Sequence, residues 1–115
     1  MMNKLLIGII LFTVGQALIW IQTNGQFINK WAKENPFWMA IIFAIPISYM
    51  FIYATKYIVE YFDGLLWPGR FIGFGTGMII FSIFTYIFMG EGISSKTAIS
   101  LVLATALVLI QILWK

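Results

Sequence analysis

Residues 5–21 read LLIGIILFTVGQALIWI, without one charged side chain. A helix rises about 1.5 Å per residue and the hydrocarbon core of a bilayer is roughly 30 Å thick, so a stretch of this kind is a membrane span. Lys4 precedes it, and Gln22, Thr23, Asn24 and Gly25 close it. The apolar run continues past Ala17 into bulky Trp20 and Ile21, which favours a retained span over a cleaved signal peptide. The same pattern recurs three times downstream. Spans at about 5–21, 37–55, 71–89 and 98–114 nearly exhaust the 115 residues, leaving one domain. The expected fold is an all-α, integral membrane four-helix bundle.

Composition agrees. Hydrophobic residues make up 62% of the chain and charged ones 10%, with mean hydropathy +0.97. A soluble domain carries about 25% charged residues to cover its surface. Cysteine and histidine are absent, which excludes disulfides, Cys/His metal sites, thiol nucleophiles and imidazole bases. No metal or other cofactor is expected. The net charge of +3 is spread over the connections as headgroup anchors, unlike the clustered basic face that tracks phosphates, so no nucleic-acid partner is expected.

An ionisable group inside a bilayer is costly and marks function. The span centres hold none: Glu34, Glu60, Asp63 and Glu91 all fall at or beyond helix ends, and no two form an acid/base pair. The chain is not expected to be an enzyme. Gly73-x-Gly75-x-Gly77 is no nucleotide loop, because no strand precedes it and its last glycine comes too early.

The connections carry their own signals. Phe27 and Trp31, beside Lys30 and Lys33, suit either a short helix at headgroup level or a plain loop. Pro36 starts the second span, and Pro46 interrupts its hydrogen bonding. Helical spacing persists through KYIVEYFD, with Lys56 and Glu60 at i,i+4, until Gly64. Leu65 to Arg70 reads as a turn, and Gly90 to Ile93 as a tight turn before a cap at Ser94 or Ser95. Trp20, Trp31, Trp38, Trp67 and Trp114 are placed in an interfacial belt.

Polar side chains within spans need partners. Hydroxyls satisfy themselves at i−4, but the Gln16 amide does not, so it should face another helix or a cavity. Gln16, Tyr49, Tyr53 and Tyr86 are the candidate substrate-lining residues, the tyrosines through ring-face attraction for an organic cation. Small residues let helices approach closely. Gly8 and Gly15 (with Gln22, every seventh residue), Gly73 and Gly77, and Ser100 and Ala104 are the candidate packing or dimer contacts. With four spans, Lys4, Lys56, Arg70 and Lys115 share one side and Lys30, Lys33 and Lys96 the other. That slight excess favours cytoplasmic termini in a bacterial-type plasma membrane and leaves dual insertion open.

Four short spans, a glycine-rich third helix, and Met89-Gly90-Glu91 followed by a capped, small-residue helix resemble the drug/metabolite transporter superfamily, whose smallest members include the small multidrug resistance proteins. The resemblance covers nearly the whole chain. Ser100 and Ala106 fall near the small packing positions of that last helix, with the glycines replaced. The small multidrug resistance proteins carry a membrane-embedded glutamate in the first helix; here Phe12 and Thr13 occupy the matching place. The resemblance therefore implies the architecture without proton-coupled drug export, and some of its relatives are lipid-carrier flippase subunits. The expected function is a transporter or transporter-like subunit for a small metabolite or amphiphile, working as a homodimer in the lipid bilayer. The alternative is a non-transporting assembly factor, a structural subunit or a phage-type permeabilising protein.

Overall fold

The computed structural model describes residues 3–114; Lys115, counted above among the flanking charges, lies outside them. The described chain is helical without strands: α1 (Lys4–Asn24), a 3₁₀ turn (Gly25–Phe27), α2 (Lys30–Glu34), α3 (Pro36–Tyr61), α4 (Trp67–Met89) and α5 (Ser95–Leu113). Four of the five α-helices, all but α2, are long and apolar enough to cross a membrane. The chain is an all-α integral membrane protein.

Each helix end has a local cause. Asn3 Oδ1 accepts from the Leu6 N–H at 2.8 Å and Ser94 Oγ from the Thr97 N–H at 3.2 Å, satisfying backbone donors at the starts of α1 and α5. Asn29 does the same for α2, resolving the Gln26–Asn35 connection as a turn plus a short helix. α3 stops where Asp63 and Gly64 take positive φ, and α4 where Gly90 does. The expected turn at Leu65–Arg70 is shorter than the sequence reading: α4 already begins at Trp67, because Pro68 suits a first helical turn and Gly69 lets that turn close onto Ile58.

α1 is the wedge of the bundle, and its two faces show why. On one face Gly8 meets Ile58, Gly15 meets Phe51, and Gln22 Nε2 donates to the Ala40 carbonyl at 3.2 Å. The order runs backwards along α3, so these helices are antiparallel, joined along the seven-residue stripe. The adjacent face meets α4 in parallel: Phe12 lies on Gly73, Gln16 on Gly77, and Trp20 on Thr85. Phe12, Ala54, Ile58 and Ile72 form the core. Gly75 faces Val108, so α4 presents glycines to α1 and to α5 on different sides. α5 is peripheral, with Ala104 its one buried residue among those described; Ser100, expected at a packing contact, is exposed and bonds back to Lys96.

Two pairings depart from the sequence reading. Glu60 approaches Lys4, at 3.5 Å, rather than Lys56, whose ammonium sits over the rings of Tyr53 and Tyr57. The close α1–α3 seam brings Lys4 to Glu60. Trp20 is not in the interfacial belt: it is 3% exposed, packed on Phe84 and Phe88, because its indole N–H has a partner inside.

Candidate functional site

A groove of about 530 Å³ lies between α3 and α4, with α1 behind it. Its lining includes Phe12 and Gln16 from α1, Phe51 and Thr55 from α3, and Arg70, Phe71 and Phe74 from α4. It exists because α3 and α4 both pack on α1 and scarcely on each other. The lining residues of α4, from Gly69 to Phe74, belong to its N-terminal half, so the groove runs from that end of the helix toward the middle of the bundle.

Gln16 is the one polar side chain of α1 that reaches this groove. Its Nε2 donates to the Gly73 carbonyl at 3.0 Å, across 57 residues of sequence. That carbonyl also accepts from the Thr76 hydroxyl, at 3.0 Å. Gly77 makes room for the amide: a Cβ there would lie 2.9 Å from Gln16 Oε1. Among the described residues Oε1 accepts no hydrogen bond, and no polar side-chain atom of a covered residue is both sealed from solvent and unpaired. The amide oxygen is therefore an accessible, unused acceptor at membrane depth.

Arg70, in the first turn of α4, supplies the groove's charge. Among the described residues it forms no ion pair, since the two acids that pair do so with Lys4 and Lys30. The groove thus carries a guanidinium without an ion pair among the described residues, the Gln16 amide deeper in, and aromatic walls between them.

Past Gln16 the α1–α4 seam continues in a buried contact. Trp20 Nε1 donates to Thr85 Oγ1 at 3.1 Å, with Phe84 edge-on to the indole and Phe88 beside it. No sequence motif marks this contact, although Trp20 lies four residues after Gln16, on the same face of α1. Phe12 and Gln16 on Gly73 and Gly77 continue the same face.

The structure does not bring the four candidate lining residues together. Gln16 is in the groove. Tyr49 and Tyr53 stack on the outer face of α3, continuing to Tyr57, and Tyr86 is exposed on α4. The buried side of α3 is taken by Ile47, Ala54 and Ile58, which turns the tyrosine stripe outward. Of the candidate packing residues, Gly8, Gly15, Gly73 and Gly77 all meet a neighbouring helix of the same chain, and Ala104 is buried on α5. Arg70 and Thr55 were missed as lining residues, because only the α3–α4 gap puts them beside Gln16.

No protein-family model, curated protein or solved structure matches this chain.

Proposed function

We propose that this chain is a small transporter or transporter-like subunit for an amphiphile or small metabolite, built on the plan of the drug/metabolite transporter superfamily and working as a homodimer without catalytic chemistry. The observation that supports this reading is the groove reaching Gln16, whose amide oxygen has no hydrogen bond among the described residues, with the buried Trp20–Thr85 contact farther along the α1–α4 seam. In this reading the groove on the Arg70 side is half of an alternating-access cycle, and separation of α1 from α4 at Trp20–Thr85 would supply the other half. The proposed membrane is a bacterial-type plasma membrane, with both termini cytoplasmic.

Pairing of two copies is supported by Tyr49. It lies midway along α3 and is 61% exposed, and among the described residues its hydroxyl has no hydrogen bond. An unsatisfied hydroxyl in hydrocarbon is costly, and a second copy supplies partners across a two-fold axis.

The absence of cysteine makes the test direct. Phe74→Cys, in the groove, is reconstituted in vesicles where an accessible tag fixes the orientation of each copy. A membrane-impermeant maleimide should label it from both sides. Labelling from the Arg70 side alone overturns transport and favours the non-transporting alternative. One feature favours that alternative: α5 buries only Ala104 among its described residues, leaving its apolar face for a larger complex. Copurification with such a complex would carry it.

A further inference from the structure

We infer that the α3–α4 groove binds an anionic single-chain lipid whose neck carries a hydroxyl, the phosphate on Arg70 and the hydroxyl on Gln16. The inference rests on the proposed transport reading for its purpose, and on the groove alone for its chemistry.

The charge comes first. Arg70 lines the groove and has no acid neutralising it among the described residues. A guanidinium offers a planar fork of donors that matches phosphate oxygens two at a time. At the end of a span it lies at the depth where phospholipid phosphates lie, so the ligand's charge and the bilayer's own geometry agree.

The neck follows from spacing. Gln16 donates to the carbonyl of Gly73 and lies over Gly77, so its amide sits between one and two turns deeper than Arg70 along α4. At a rise of about 1.5 Å per residue this is roughly 5–10 Å. The unbonded Oε1, beside Gly77, can only accept, so a ligand that engages it presents a donor at that depth. The backbone of a fully acylated phospholipid offers only ester oxygens there, whereas a lysophospholipid offers its free glycerol hydroxyl. The groove's volume of about 530 Å³ suits one modest ligand, within the ~300–1,000 Å³ of small-molecule sites. Phe51, Phe71 and Phe74 line the path for a single chain, which leaves sideways into the bilayer through the α3–α4 gap.

The probes are lysophosphatidylglycerol and lysophosphatidylcholine, each titrated into the purified full-length protein in neutral detergent, with bound lipid counted by native mass spectrometry. The anionic lipid should bind at least tenfold more tightly. Arg70→Gln should abolish that preference, and Arg70→Lys should restore it only in part, since an ammonium lacks the fork. Gln16→Leu should weaken the anionic lipid about fivefold and leave the headgroup preference intact. Fully acylated phosphatidylglycerol should bind more weakly than its lyso form. Lys56→Gln, a cation on the same side but outside the groove, should change nothing.

Equal binding of the two lyso lipids overturns the inference, as does a preference that survives Arg70→Gln or one lost equally with Lys56→Gln. Competition by inorganic phosphate at equal concentration also overturns it, by assigning the site to a free anion. The labelling test at Phe74 is independent: two-sided labelling without lipid preference leaves transport standing and removes the lipid. One-sided labelling with an Arg70-dependent preference leaves the lipid site and removes transport.

Discussion

Gly8→Ala places a methyl group where α1 and α3 touch. The new carbon would lie 2.5 Å from Ile58 Cδ1 and Cγ1 and 3.3 Å from the Ala54 carbonyl oxygen. Carbon atoms in contact sit about 3.5–4.0 Å apart, so about 1 Å must be found. Ile58 has little room to give it, since its side chain is fully buried between α1, α3 and α4. Overpacking of this kind costs about 1–3 kcal/mol. Alanine's better helix propensity returns up to about 1 kcal/mol, so from the middle of that range a net loss of about 1 kcal/mol remains. Gly92→Ala is the control, with nothing within 4 Å of its Cβ.

The assay is reversible unfolding in mixed micelles of increasing sodium dodecyl sulfate, followed by tryptophan fluorescence. Gly8→Ala should lower the midpoint while Gly92→Ala leaves it in place. Ile58→Ala should cost about 2–5 kcal/mol alone and much less on top of Gly8→Ala, because the second methyl partly refills the space. A coupling of at least about 0.5 kcal/mol is expected for residues in contact. An unchanged midpoint for Gly8→Ala, or a strictly additive double variant, refutes the close seam.

Thr85→Val removes the acceptor of the Trp20 indole and should cost about 0.6–1.7 kcal/mol, the range of hydrogen bonds measured between membrane helices, with a shift in Trp20 emission. Tyr49→Phe should reduce the dimer fraction measured by crosslinking in bilayers, whereas Tyr86→Phe, near the end of α4, should not. Lys4→Gln should move the unfolding midpoint by no more than about 1 kcal/mol, since the Lys4–Glu60 pair is half exposed and screened by solvent.

What the sequence made legible follows from periodicity. Apolar runs and their polar punctuation placed the four spans, and the spacing of Gly8, Gly15 and Gln22 marked one contact face of α1 without naming its partner, which is α3, because a seven-residue repeat keeps one face of a helix toward its neighbour. Gln16 stood out because an amide cannot be satisfied cheaply by its own helix, and it does bond another. Which way a helix faces was harder to read. Tyr49 and Tyr53 share residue type and depth with a cavity lining, yet the preference of Ala54 and Ile58 for the interior turned them outward. Trp20 sits at a span end like its belt counterparts, and only a partner 65 residues away, Thr85, draws it inward. Arg70 belongs to the groove through the α3–α4 gap, a feature of three helices at once that no single stretch encodes.

The wedge position of α1 also bears on how the chain is made. α1 is synthesised before α3 and α4, and its glycine stripe has no counterpart until α3 arrives as the other arm of an antiparallel pair. The second face waits longer, until α4 brings Gly73, Gly77 and Thr85. The groove is thus born as an unfilled slot between two late arrivals, each recruited separately by the same early helix. An insertion intermediate ending before α4 would expose Gln16 and Trp20 to lipid without their acceptors, and would be the stage most in need of a holding partner during biogenesis.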